Sequence, residues 1–162
     1  MRRLIVLAFF LCLFTGMASA GASRVEIFAG GQYLHLDPNF NLEGWNGAFT
    51  GNIKGWLGIT ADCSGSYHSG LTFHTISVGP ELRANLPMVK PFVHALVGGA
   101  RSSGGGVSAN GFVGMVGGGV DLGGGVFAFR LIQADWVATR FTNFTNMSNK
   151  NFRASAGIVM RF

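Results

Sequence analysis

The sequence predicts an all-β protein, an eight-stranded antiparallel up-and-down transmembrane β-barrel. Three observations predict it. Long segments alternate apolar and polar residues at period two, the mark of strands with two different faces. Beyond the first twenty residues, no stretch reaches the 18 or so consecutive apolar residues of a membrane-crossing helix, although 48% of the chain is hydrophobic. Charged residues make up only 12% of the 162, about half the usual share for a soluble domain. That composition excludes a disordered chain and a charge-rich helical bundle.

The first twenty residues read as an address. Arg2 and Arg3 form a positive head, Leu4 to Phe14 an unbroken apolar run, and Ala18-Ser19-Ala20 a small-residue cleavage pattern. This is a secretory signal peptide over 1–20. The run gives a helix of about 16 Å, too short for a hydrocarbon core of about 30 Å. Cys12 follows Phe9-Phe10-Leu11 and lacks the small residues that lipoprotein processing needs. The remaining domain, 21–162, holds ten Lys+Arg against seven Asp+Glu and a single cysteine, Cys63, so no internal disulfide is available to it.

Eight alternating segments follow, expected near 24–36, 44–54, 56–68, 72–83, 91–102, 111–122, 126–140 and 150–162. The second places Trp45, Phe49 and Ile53 on one face and Asn46, Thr50 and Asn52 on the other. Lys54-Gly55 supplies a two-residue hairpin. In the third, Leu57, Ile59, Ala61, Cys63 and Tyr67 alternate with Thr60, Asp62, Ser64, Ser66 and His68. The fourth carries Pro80, which has no ladder donor, so a bulge or an early end is expected there. The sixth turns Phe112, Val116, Val120 and Leu122 outward and Asp121 inward. In the seventh, Arg130, Gln133 and Asp135 share a face only if a bulge lies between Arg130 and Gln133. The eighth alternates Phe152, Ala154, Ala156, Ile158, Met160 and Phe162 with Asn151, Arg153, Ser155, Gly157, Val159 and Arg161. An arginine on the lipid face at mid-depth costs about 2–4 kcal/mol, which turns Arg153 and Arg161 inward.

Several strands are glycine-rich. Gly98, Gly99, Gly114 and Gly117 to Gly119 are expected to relieve crowding inside the barrel. The connections fall into two sets. Lys54-Gly55, 84–90 and 123–125 face the periplasm, with both termini. Residues 37–43, the short turn 68–70, 103–110 and 142–149 face outward; three of these four fit the pattern of longer external loops, and 84–90 is longer than that pattern gives a periplasmic turn. A sheet in lipid cannot leave an edge unpaired, because each bare backbone group costs several kcal/mol. Closure with an even number of strands follows, and eight strands enclose a lumen that side chains can fill.

The lumen is expected to hold a charge network of Glu26, Asp62, Glu81, Arg83, Asp121, Arg130, Asp135, Arg153 and Arg161, because buried charges demand partners. Such a network plugs the barrel against a large pore. The last strand reads polar Ser155, Gly157, apolar Met160 and aromatic Phe162 at the terminus. This pattern resembles the recognition signal that outer-membrane barrels show to their insertion machinery.

The domain as a whole resembles the small OmpA/OmpX-like outer-membrane β-barrel family, sometimes grouped as porin-like. The resemblance is carried by Val25-Glu26-Ile27-Phe28-Ala29-Gly30, Gly44-Trp45-Asn46-Gly47, Gly79-Pro80-Glu81-Leu82-Arg83, Pro91-Phe92-Val93-His94-Ala95-Leu96, 130–136 and 151–162. It implies an eight-stranded barrel in a Gram-negative outer membrane, and a monomer is expected. Its expected partners are outer-membrane lipid, periplasmic chaperones and the insertion machinery. No catalytic residues and no cofactor are implied. The peptidoglycan-holding domain of some relatives has no counterpart in 21–162.

Other chemistries find little support. His35, His68, His74 and His94 lack metal-ligand spacing. The glycines of 119–125 lack the nucleotide-loop pattern, and no basic stripe marks a nucleic-acid surface. Asp62, Ser64, Ser66 and His68 share one face, as a lipid A-modifying hydrolase or transferase would require. Same-face neighbours, however, stand about 6.5 Å apart, beyond direct hydrogen bonding. The expected role is structural, or display of loops 103–110 and 142–149. Alternatives are a lipid A-modifying enzyme, a small passive pore, and a soluble calyx with the opposite register.

Overall fold

The computed structural model describes residues 24–36, 40–68, 70–123, 125–141 and 148–162. The expected signal peptide lies outside these residues. Eight strands form one closed antiparallel barrel in chain order: β1 Val25–Leu36, β2 Phe40–Lys54, β3 Leu57–His68, β4 Leu71–Arg83, β5 Val89–Gly104, β6 Val107–Leu122, β7 Phe127–Phe141 and β8 Ser148–Arg161. Closure joins β1 to β8 from Glu26↔Arg161 to His35↔Phe152. Beyond the last rung, Phe162 N–H donates to the Val25 carbonyl at 2.8 Å, and Val25 N–H to the Phe162 carbonyl at 3.2 Å. Val25 and Phe162 therefore sit at one end of the barrel, here the terminal end. The other is the distal end.

Side-chain direction follows the alternation. Trp45, Phe49, Ile59, Val116 and Ile158 are exposed on the outer wall, whereas Asp62, Asp121, Arg153 and Arg161 are buried inside. The bulge expected in β7 is present. Arg130 pairs with Gly157 and Gln133 with Ser155, with one extra residue between them. Leu131 and Ile132 consequently both face outward, and Arg130, Gln133 and Asp135 all face inward.

Several local expectations are corrected. The first hairpin turns at Gly55-Trp56 and not Lys54-Gly55, because Lys54 pairs with Leu57 after a shift at Asn52/Lys54. β4 neither bulges nor ends at Pro80. The β4–β5 rungs skip Gly79 and Pro80, yet Val78↔Val97 and Glu81↔His94 keep one register. The proline forgoes a donor without displacing the strand. Residues 103–110 form no loop: β5 and β6 pair up to Gly104↔Val107, across a turn at Gly105 and Gly106. Their φ values of +58° and +82° are those of a type I′ turn, whose twist suits the strands and needs glycine. The connection after β4, expected to be the long one on that side, runs over 84–88 at the terminal end. Lastly, Gly99, Gly114 and Gly118 occupy outward register positions, paired with Phe112, Val97 and Val93; only Gly98, Gly117 and Gly119 of that group face inward.

β2 also begins four residues earlier than expected. Leu42 pairs with Leu34 and is fully buried, so apolar packing inside extends the strand.

Candidate functional site: the barrel lumen

The lumen is filled, and its filling changes along the axis. At the terminal end, three arginines and three acids interlock. Arg83 reaches Glu81 at 2.6 Å, Asp121 at 3.4 Å and also Glu26. Arg130 Nε donates to Asp121 Oδ1 at 2.8 Å. Arg161 bridges Asp121 at 3.0 Å and Glu26 at 3.3 Å, and donates to the Gly123 carbonyl at 3.0 Å. The six charges balance, and each is buried. Arg130 is also held flat by rings: its guanidinium lies 4.1 Å from the Phe92 centroid and 4.4 Å from that of Phe28. Such desolvated stacking suits the planar guanidinium.

At mid-height, Arg153 crosses the barrel. From β8 it donates to Asp62 on β3 at 2.8 and 3.1 Å and to Asp135 on β7 at 2.7 Å. Asp135 also meets His94 Nε2 at 2.8 Å and accepts from Gln133 at 2.8 Å. Asn46 donates to Asp62 at 2.9 Å. Gln133 ties the two clusters together, since its Oε1 accepts from Arg130 at 2.6 Å. Thr60 extends the chain by donating to Glu81 at 3.0 Å. The nine charged residues singled out in the sequence thus lie in one connected system.

Towards the distal end the charges disappear, and the buried polar groups that remain are uncharged pairs such as Gln32–Ser66 and Asn151–Thr139. Leu34, Leu42, Phe73, Leu96, Ala100, Val113, Met115 and Val137 form a buried apolar cluster. The sequence reading passed over this layer. Its signal was parity: Leu34 shares a face with Glu26, and Val137 with Asp135. His94, Asn46 and Gln133 were likewise legible only as inward positions, with no hint of their partners.

The catalytic alternative finds its parts otherwise engaged. Ser66 Oγ accepts from Gln32 at 2.6 Å, Ser64 shares a hydrogen with Thr75 at 2.7 Å, and Asp62 is held by Arg153. His68 is exposed. Among the described residues no three His, Cys, Asp or Glu side chains gather into a metal site. In the last strand, Ser155 and Gly157 face inward, whereas Met160 and Phe162 lie on the outward side. A side chain at Gly157 would strike the backbone of Ala29 and Gly30, so β8 and β1 close tightly there.

No family model and no curated protein sequence matches this chain. Solved structures do. Neisserial surface protein A is 16% identical, with a TM-score of 0.68, over 88% of this chain and 100% of its own. The N-terminal β-barrel domain of Pseudomonas aeruginosa OprF is 15% identical, with a TM-score of 0.61, over 88% and 100%. Ail, the attachment invasion locus protein of Yersinia pestis, is 17% identical, with a TM-score of 0.52, over 89% and 100%. The chain has the fold of these small outer-membrane barrels. At such identities, the fold is what is shared.

Proposed function

We propose that the chain is an integral outer-membrane barrel of a Gram-negative bacterium, exported through a cleaved signal peptide over 1–20. It works as a monomer with a structural or surface-interaction role, and it conducts no solute. The observation that carries this reading is the inversion of polarity. Large apolar side chains such as Trp45, Ile76, Phe112, Trp136 and Phe152 cover the outside, and nine charges are sealed within. In water that arrangement would expose far more contiguous apolar surface than a soluble monomer carries. In lipid it satisfies every strand edge by closure.

The lumen supports a plug rather than a pore, because a neutral ionic layer and an apolar layer lie in series. No enzymatic step belongs to this reading, since Ser64, Ser66 and Asp62 are held by other groups. Assembly fits the same picture. Before closure, β8 offers free backbone groups to the insertion machinery, with Ser155, Gly157, Met160 and Phe162 as its signal. Strand addition of this kind is a known recognition mode.

Membrane fractionation with electrophoresis of unheated and boiled samples tests the proposal. The protein is expected in the outer-membrane fraction, migrating faster unheated. Recovery from the soluble periplasm would overturn it. In planar bilayers the refolded barrel is expected to show no steady conductance steps.

A further inference from the structure

Charges outside the lumen are unevenly placed. Of the seven acids, five lie inside; Glu43, on β2, is the one described acid on the outer wall. Arg101 on β5 and Arg140 on β7 are both exposed there, at the distal end. His74 on β4 is exposed and stands directly opposite Arg101, within cross-strand contact range. Among the described residues, no acid forms an ion pair with either arginine. Strand tilt brings the two arginines level. At the terminal end, the perpendicular line from Val89 runs through Leu122 to Phe129, two residues past the start of β7. At the distal end, Arg140 pairs with Phe112 and Phe112 with Gly99, two residues short of Arg101, the same offset.

Directly below this cationic rim, a groove of about 510 Å³ runs down the outer wall. Its floor is Ala95, Gly114 and Ala138, and Val78, Val116 and Trp136 flank it. Gly114 pairs with Ala138 across the strands, and a side chain added at Gly114 would meet nothing within 4 Å. The groove and the rim share strands. Arg140 lies two positions beyond Ala138 on one face of β7, about 7 Å along the strand. Arg101 shares its face of β5 with Val97 four positions below and Ala95 six below, with side-chain-free Gly99 between.

We propose that this wall is a binding site for one phosphorylated, multiply acylated lipid of the external leaflet. Its phosphate sits between Arg101 and Arg140, over β6, and one acyl chain lies in the groove. The proposal rests on the membrane-barrel reading above, which places the distal end outward. Charge complementarity selects the headgroup. An arginine near the interface costs little on its own, and a phosphate presents it with a bidentate acceptor. The apolar floor, continuous with the lipid-facing band, selects an occupant that itself resides in the membrane.

The test uses the whole barrel refolded in detergent micelles, with native mass spectrometry to count retained lipid. The probes are bisphosphorylated lipid A and its dephosphorylated form. Wild type is expected to retain one lipid A and to bind the dephosphorylated form at least tenfold more weakly. The double variant Arg101→Gln/Arg140→Gln is expected to lose at least tenfold in lipid A affinity, and Ala138→Phe about fivefold by filling the groove. Heat-modifiable migration checks that each variant is folded; if one is not, the comparison of the two lipids on wild type still decides. Equal binding of both lipids overturns the proposal. So does competition by a sulfated oligosaccharide as strong as that by lipid A, which would reduce the rim to an anion patch. Failure to enter lipid vesicles would instead overturn the membrane-barrel reading beneath it.

Discussion

The two halves of the lumen solve the same filling problem with opposite chemistry. Towards the terminal end and mid-height, arginines and acids meet in a network whose members each satisfy several others. Towards the distal end, eight apolar residues pack together, with only uncharged pairs such as Gln32–Ser66 and Asn151–Thr139 beside them. The difference teaches where each half is brittle. A buried ion network is neutral or costly to build but severe to break singly, because removal of one partner strands the others. An apolar layer degrades by degrees, with the volume removed.

The largest expected effect follows from that contrast. Arg153→Ala leaves Asp62 and Asp135 facing one another across the lumen, and about 3–5 kcal/mol of stability should be lost. Urea unfolding in phospholipid vesicles measures it. Adding Asp62→Asn and Asp135→Asn should return most of the loss; if the triple variant is weaker still, the network is not the cooperative unit described. Next, Leu34→Ala in the apolar layer should cost about 2–3 kcal/mol, with no second substitution restoring it by charge relief. A loss as large as that of Arg153→Ala would erase the distinction between the halves.

Third comes a pair of glycines on opposite faces of β6. A methyl at Gly117 would collide with the Ala134 carbonyl and the Asp135 carboxylate, whereas one at Gly114 meets open space. Gly117→Ala should therefore cost about 1–2 kcal/mol by overpacking. Gly114→Ala should stay within about 0.5 kcal/mol, and the same unfolding assay compares them. The smallest effect is expected at Ser77, whose buried hydroxyl has no hydrogen-bond partner among the described residues. Ser77→Ala should shift the unfolding midpoint by an amount equivalent to less than about 0.5 kcal/mol, unlike Thr60→Ala, which would orphan a Glu81 oxygen.

Much of this was legible in the chain. The β7 bulge followed from three polar residues that had to share one face, and the inward turn of Arg153 and Arg161 followed from the cost of charge in lipid. The turn at Gly105-Gly106 was not read, although its double glycine was visible, because the polar run around it looked like a loop. Interior placement of Gly99 and Gly114 failed because composition was read without parity. The rim of His74, Arg101 and Arg140 escaped notice because its members lie on three strands, far apart in sequence.

Which side of the sheet each residue occupies was set by the sequence alone, since successive side chains of a strand must point to opposite faces. Strand number and the position of the bulge follow from the same local rule. Which residues share a height was decided only by closure. Tilt and stagger bring Asp62 to Arg153 across 91 positions, gather Leu34, Leu42, Leu96, Val113 and Val137 into one distal layer, and level Arg101 with Arg140. Alternation fixes direction one residue at a time, whereas height around a cylinder is a property of all eight registers together.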